Sequence, residues 1–132
     1  MDNTADEIFS YNGILTTLTH LNLHFGLLRL GDWDGRDGII LRHDVDLDVR
    51  AALDLAEIEA ASGIVGTYFF LTTSENYNIL ASSNQTLIRK IMSLGFEIGL
   101  HFDPALYPGE NGEGLATQAK REAKIIEDVT HS

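Results

Sequence analysis

The sequence predicts an α/β fold in which parallel β-strands alternate with α-helices. Three short apolar segments, at residues 39–41, 64–71 and 96–101, have the composition of strands. Each is followed by a longer segment in which apolar residues recur at helical spacing, and another helical segment precedes the first strand. Such alternation with short connections is typical of parallel sheets with right-handed crossovers. We therefore predict an N-terminal helix followed by about three strand-helix units.

The first helix is predicted between Tyr11 and Phe25, and the first strand at residues 39–41. Apolar residues recur at steps of three and four along this helix, at Ile14, Leu15, Leu18, Leu21 and Phe25. Gly26 supplies a stop signal, and residues 31–38, with three glycines, three aspartates and Trp33, indicate a loop. Residues 39–41 are continuously apolar, as expected of a strand that is covered on both faces.

A second helix and a second strand follow. Asp48 can cap this helix, and Gly63 ends it. Its apolar stripe consists of Ala52, Leu55, Ala56 and Ile58. Residues 64–71 are rich in β-branched and aromatic types, which favour a strand.

The third unit completes the pattern. Ser83 or Asn84 can cap a third helix that Gly95 closes, with its apolar stripe at Leu87, Ile88, Ile91 and Leu94. Residues 96–101 are predicted to form the third strand. After a loop rich in glycine and proline, residues 115–129 have the spacing of a final helix, with Ala119, Ala123 and Ile126 on one face.

Composition narrows the possible functions. The chain has 132 residues, 44% of them hydrophobic, which fits one globular domain spanning residues 1–132. A formal charge of -11 has the wrong sign for binding phosphate backbones, so we expect no nucleic-acid partner. Because the chain has no cysteine, any metal must be held by His, Asp or Glu. Residues 1–10 lack the pattern of a signal peptide and no apolar run reaches membrane-spanning length, so we expect a cytoplasmic protein without a membrane partner.

Two polar clusters lie where apolar segments end. One is RHDVD at residues 42–46, after the first predicted strand, and the other is EIGLHFD at residues 97–103, at the third. Carboxylate and imidazole groups are costly to bury without partners. In parallel α/β folds the working groups lie at the carboxyl ends of the strands. The two clusters therefore predict one shared polar site.

The alternation of side chains along a strand sorts these residues by face. Asp44 and Asp46 point the same way, together with Arg42, whereas His43 points towards the surrounding helices. By the same parity His101 lies on the same face as one further carboxylate, Asp103. If the sheet curves as a barrel wall does, the side chains on its inner side meet: Asp44, Asp46, His101 and Asp103.

One imidazole and two or three carboxylates can hold zinc or another divalent first-row metal and leave a position open for water. A carboxylate beside the metal could take the proton of that water. Together these groups would cleave an amide or an ester. The cluster therefore predicts a metal-assisted hydrolase.

Structural alternatives stay open for several of these residues. Asp46 could be a helix cap, although Asp48 is the better placed of the two. A structural role for His43 is favoured over metal ligation. Arg42 could pair with Asp44 and keep it ionised, or form only an exposed salt bridge.

Aromatic residues supply candidates for a substrate groove. Tyr77, Asn78 and Tyr107 are candidate groove residues, and Tyr68 is a further one, although its apolar strand favours a place in the core. His20 and His24 are four residues apart on the first helix, a spacing that can bind metal. They lack a third partner nearby in the sequence, and we interpret them as surface residues.

The motifs resemble those of the NodB-like polysaccharide deacetylases, most closely the WbmS-like branch linked to surface-polysaccharide (O-antigen) synthesis. The likeness extends over about residues 11–107 and depends on RHDVD, GTYFF at residues 66–70 and EIGLHFD. It implies a partial, distorted (β/α) barrel that removes acetyl groups from N-acetylated sugars with a divalent metal, often zinc. By resemblance Asp44 is the catalytic base, Asp46 the metal-binding aspartate and His101 the first metal-binding histidine.

Two departures from the family pattern limit what the resemblance implies. The family's second metal-binding histidine falls at Ala105, so the third ligand stays open between Asp103 and His43. The family's later motifs, which supply an arginine that orients the base and a histidine that acts as general acid, would follow Ser132. A closed barrel of this kind needs about 250 residues. We therefore expect an amino-terminal portion, a truncated paralogue, or a subunit completed by another chain, and we predict self-association.

Two other functions remain as alternatives at this stage. The first is a catalytically incomplete fragment or assembly subunit of the same fold. The second is a metal-dependent hydrolase of another amide or of a cyclic imide, because related folds carry different chemistries.

Overall fold

The computed structural model describes residues 10–131, in which short β-strands alternate with longer α-helices. The elements in chain order are α1 (Tyr11–Phe25), β1 (Leu27–Leu28), β2 (Ile39–Ile40), β3 (Arg42–Val45), α2 (Val49–Ala61), β4 (Thr67–Phe70), α3 (Ser82–Ser93), β5 (Glu97–Leu100) and α4 (Gly112–His131). Two 3-10 turns lie at Leu30–Asp32 and Pro104–Leu106. The prediction for the acidic start at residues 1–10 falls almost wholly outside the described residues.

All strand pairing in the described part of the chain is parallel. One sheet consists of β1 and β2, and the other has the order β3-β4-β5. Leu41 links the two sheets, because its N–H donates to the carbonyl of Leu28 and its own carbonyl accepts from the N–H of Thr67. The sheets do not close into a barrel, and β3 pairs with β4 along only one of its edges. The mixed α/β class with parallel strands is confirmed.

The helices cover one face of the three-stranded sheet. Val45 and Phe70 on that face pack with Ala56 of α2, Ile88 of α3 and Ile126 of α4 in the main core cluster. A second cluster packs α1 against the β1-β2 sheet and consists of Leu18, Leu27 and Ile64 with partly buried neighbours. Arg42 and Asp44 project from the other face of β3, where both stay exposed. Strand parity therefore separates an apolar face from a polar one, as predicted.

The first two helices confirm their predicted boundaries. Helix α1 spans Tyr11–Phe25 and ends at Gly26, whose φ of 73° suits glycine. Asp48 caps α2, because its side chain accepts from the N–H of Arg50. The prediction that Ser83 or Asn84 caps α3 is wrong: Ala81 holds that position and makes no side-chain cap bond. The side chain of Asn84 donates to the carbonyl of Asn78 instead.

The strands differ from the prediction in two respects. The first predicted strand does not end with its apolar residues, because the chain stays extended through Arg42–Val45 and pairs with β4. The two-residue strand β1 was not predicted, since a segment this short has no detectable periodicity and forms only through its pairing with β2. No helix within residues 10–131 is both long and apolar enough to span a membrane.

Candidate functional site

The carboxyl ends of β3 and β5 bring an aspartate and a histidine into contact. Asp46 follows β3 and His101 follows β5, on either side of β4. His101 Nδ1 lies 2.9 Å from Asp46 Oδ1, and the His101 backbone N–H donates to the carbonyl of Phe70. The Asp46 side chain is 53% exposed and that of His101 is 27% exposed, so a ligand can reach both.

Asp44, the predicted base, is held by a neighbour on its own strand. Arg42 Nε donates to Asp44 Oδ1 at 2.7 Å, and the guanidinium carbon of Arg42 lies 4.2 Å from the centre of the Phe69 ring. Because Arg42 and Asp44 are both partly exposed, this ion pair contributes little to stability. Its effect is to orient the carboxylate, since the guanidinium is itself fixed against an aromatic ring.

The backbone around Asp46 is fixed by the loop that follows β4. Asn76 Nδ2 donates to the carbonyl of Asp46 at 3.1 Å. The Tyr77 hydroxyl donates to the carbonyl of Val45 at 2.6 Å and accepts from the N–H of Leu71. Burial, together with the nearby negative charge of Asp46, raises the pKa of Tyr77 to about 12, against a smaller opposing effect of the Leu71 hydrogen bond. Tyr77 therefore holds the ends of β3 and β4 together.

Of the four side chains predicted to bind a metal, the structure brings Asp46 and His101 into contact. Asp103 Oδ1 accepts from the N–H of Ala105 at 3.0 Å, so this aspartate caps the 3-10 turn after β5. Within residues 10–131 no three His, Asp or Glu side chains are placed to hold one metal ion. The structure thus joins Asp46 with His101 and Arg42 with Asp44, and it leaves Asp103 in a capping role.

His43 belongs to a separate, buried polar group. As parity predicts, its side chain points towards α2, where Nε2 lies 2.8 Å from Glu59 Oε2. The Tyr68 hydroxyl donates to the other oxygen, Glu59 Oε1. Tyr68 is buried in the core, and burial followed by the charge of Glu59 raises its pKa well above the usual range. The burial of Tyr68 agrees with the core interpretation of this residue.

A second buried polar group surrounds Glu122, next to the loop that follows β5. The hydroxyls of Tyr107 and Thr72 each donate to one of its carboxylate oxygens, Tyr107 at 2.7 Å. Arg121 in turn donates to the Tyr107 hydroxyl. This group ties α4 to the strand ends, and it gives Tyr107 a structural contact.

The remaining candidate residues lie away from the strand ends or make hydrogen bonds within a loop. Asn78 accepts from the N–H of Leu80 and from the side chain of Asn84, so it shapes the loop before α3. His20 and His24 are exposed on α1, with their ring centres 4.4 Å apart. Their interpretation as surface residues agrees with this exposure.

A cleft of about 720 Å³ runs along the unpaired edge of β3. Asp44, Asp46 and His43 line it on the strand side. Apolar side chains complete its wall, among them Leu47 and Leu55. Residues from both faces of β3 reach this one cleft because no strand within residues 10–131 pairs with that edge.

Sequence reasoning missed the two buried glutamates, although each leaves a signal. Glu59 continues the helical stripe formed by Ala52 and Ala56, and Glu122 lies on the stripe that includes Ala119 and Ile126. A charged residue on an apolar stripe requires a buried partner, so each glutamate could have been identified as part of a polar network.

Comparisons with protein-family models, with curated proteins and with solved structures find no match.

Proposed function

We propose that this chain is a metal-dependent hydrolase that removes the acetyl group from an N-acetylated sugar, as the resemblance to NodB-like polysaccharide deacetylases implies. The observation that carries the proposal is the 2.9 Å contact between Asp46 and His101, which follow the two strands on either side of β4. Asp44, the candidate base, lies on β3 two residues before Asp46, which follows that strand. These three side chains supply the ligand and base chemistry that such a reaction requires.

The pair formed by Asp46 and His101 is suited to a divalent metal in its chemistry and accessibility. A carboxylate oxygen and an imidazole nitrogen are ligands for zinc and other first-row metals, and both side chains are partly exposed. The described residues supply two protein ligands, which leaves the other positions for water, substrate or a further ligand. When bound, the metal would lower the pKa of a coordinated water and polarise a carbonyl group.

The residues of the chain then have separate roles. Asp44 accepts the proton of the attacking water, and Arg42 keeps the Asp44 carboxylate turned to one side through their 2.7 Å hydrogen bond. The cleft next to these residues combines acidic groups with apolar side chains. This lining suits a neutral acetamido sugar better than an anionic ligand, since the whole chain carries a formal charge of -11.

Acetate release from N-acetylglucosamine oligosaccharides tests this function. The zinc-loaded protein should release acetate, and Asp44→Asn should lower the rate by at least about 100-fold, because the amide cannot take a proton. Asp54→Asn is the matched control, since Asp54 is exposed on α2, where it pairs with Arg50. The proposal is wrong if Asp44→Asn retains the rate of the parent protein.

A second candidate function is an assembly subunit with an incomplete site. It is favoured because no three His, Asp or Glu side chains within residues 10–131 are placed to hold one metal ion. Parallel assays on other amides and on cyclic imides separate it from an enzyme with a different substrate. Hydrolysis of any of these substrates excludes the subunit, and the absence of all such hydrolysis supports it.

A further inference from the structure

The outer edge of β3 presents backbone groups that pair with no strand in the described part of the chain. On the inner edge, the carbonyl of Leu41 accepts from the N–H of Thr67 as the chain enters the pairing with β4. Every second residue of a parallel strand turns its N–H and carbonyl towards the same neighbour, so His43 also faces β4. Arg42 and Asp44 therefore turn both backbone groups to the opposite edge, where no strand within residues 10–131 lies.

The cleft beside this edge has room for an added strand. Its volume is about 720 Å³, and residues from both faces of β3 line it. A neighbouring strand would lie about 4.8 Å from β3, in the plane of the sheet. Leu47 borders the cleft and is 72% exposed, so it adds apolar surface to the same edge. An uncovered edge of this kind is a template for a strand from another chain.

The side chains on this edge favour a second copy of the same strand in antiparallel orientation. In an antiparallel pair, outward-facing residues stand directly opposite one another and exchange N–H and carbonyl hydrogen bonds. A pairing centred on His43 puts Arg42 of each copy opposite Asp44 of the other, on the same face of the combined sheet. Centring on Arg42 or on Asp44 would instead oppose two guanidinium groups or two carboxylates. The edge is therefore complementary to itself in the pairing about His43.

We propose that two copies of this chain pair through the free edges of β3, antiparallel and centred on His43. The strand order β5-β4-β3 of one copy then continues into β3-β4-β5 of the other, and the two sheets become one. The two-fold axis is perpendicular to this sheet, so the helices of both copies cover the same face. The charge of -11 on each chain opposes association, but salt at about 0.15 M screens exposed charges that are more than about 8 Å apart.

This pairing goes beyond the proposed function and leaves its residues accessible. Asp46 contacts His101 across β4, so the Asp46 carboxylate is directed away from the free edge. A strand added in the plane of the sheet divides the cleft, and the half on the face of Asp44 stays open to substrate. Arg42 of the second copy lies opposite Asp44 on that face, so the second copy contributes one charge to each site.

Sedimentation of the full chain, without metal or substrate, tests the pairing. In about 0.15 M salt and at about 100 µM, the parent protein should sediment as a dimer. Arg42→Asp opposes carboxylates across the axis and Asp44→Arg opposes guanidinium groups, so each variant alone should associate about tenfold or more weakly. An equimolar mixture of the two variants should restore the dimer, because every opposed pair then has opposite charges.

A charge reversal outside the cleft supplies the control. Asp54→Arg changes an exposed residue of α2 that pairs with Arg50 and does not line the cleft, so it should leave association unchanged. A monomeric parent protein overturns the proposal, as does parent-like association of both edge variants. A mixture that associates no more tightly than either variant alone also overturns it. None of these measurements involves acetate release, so the dimer and the proposed function can fail separately.

Discussion

Gly99 leaves room for the Phe69 ring, which supports Arg42, the hydrogen-bond partner of the candidate base Asp44. Gly99 and Phe69 are register partners on β5 and β4, and Asp44 is the partner of Phe69 on β3. The Phe69 ring lies over Gly99 so closely that a Cβ there would be 2.6 Å from Phe69 Cε1. The guanidinium carbon of Arg42 lies 4.2 Å from the centre of this ring, and Arg42 donates to Asp44. The missing side chain at residue 99 therefore creates the space that the ring occupies.

Gly99→Ala should destabilise the protein by about 1–3 kcal/mol, because the buried Phe69 ring must move to admit the methyl group. The same movement should disturb Arg42 and lower acetate release. Urea unfolding gives the free energy of unfolding, with Gly112→Ala as the control, since a Cβ at Gly112 would meet nothing within 4 Å. Equal stability of the two variants would contradict this description of the site.

At the scale of single residues, the sequence predicts the face on which a side chain lies better than it predicts the hydrogen-bond partner of that side chain. The alternation of side chains correctly sends Asp44 and His43 to opposite faces of β3, because this parity is a property of any strand. The pairing of His43 with Glu59 joins residues on a strand and a helix, and such a contact depends on how the helix packs. Asp103, which the sequence suggests as a metal ligand, has a local contact instead of a long-range one: its Oδ1 accepts from the N–H of Ala105 and caps the 3-10 turn.

At the scale of elements, Tyr77 holds the segments that carry the site. Its hydroxyl joins the last residue of β3, Val45, to Leu71, which follows β4. Asn76 from the same loop binds the carbonyl of Asp46. The loop between β4 and α3 therefore fixes the backbone from which Asp46 projects, and its polar residues have structural contacts there.

The stability of the protein should fall as pH rises above about 10. Burial raises the pKa of Tyr77 from 10.0 to about 12, and it raises the pKa of Tyr68 as well. Between about pH 10 and about pH 12, Tyr77 is deprotonated in the unfolded chain but keeps its proton in the folded protein. Deprotonation therefore favours unfolding in this range. Urea unfolding at about pH 9 and about pH 11 should show this decrease, and Tyr77→Phe should reduce it. A pH dependence that Tyr77→Phe leaves unchanged would contradict the assignment.

Elements with strong periodicity were predicted well, and those defined by pairing were not. The boundaries of α1 and the cap of α2 follow from apolar spacing, Gly26 and Asp48, which are local signals. The polar residues of β3 carry no apolar pattern, and they are extended because β4 lies beside them. The two-residue strand β1 likewise depends on its neighbour β2. Local sequence cannot encode such long-range pairing.

At the scale of the whole molecule, the packing of the helices determines which face of the sheet stays accessible. The main core cluster joins α2, α3 and α4 to one face of the β3-β4-β5 sheet. The opposite face carries the Arg42–Asp44 pair and leads to Asp46 and His101 at its carboxyl edge. This separation keeps the ionisable groups accessible while the apolar face is buried, and it is the reason a single polar edge can serve as a site.

Metal binding by Asp46 and His101 is the central claim, and stoichiometric metal analysis tests it most directly. After zinc loading, removal of any purification tag and gel filtration, the protein should retain about one ion per chain. Asp46→Ala and His101→Ala should each remove most of this metal, whereas His24→Ala, which changes an exposed histidine on α1, should leave it in place. Absence of stoichiometric metal from the parent protein, or its retention in both site variants, would contradict the account.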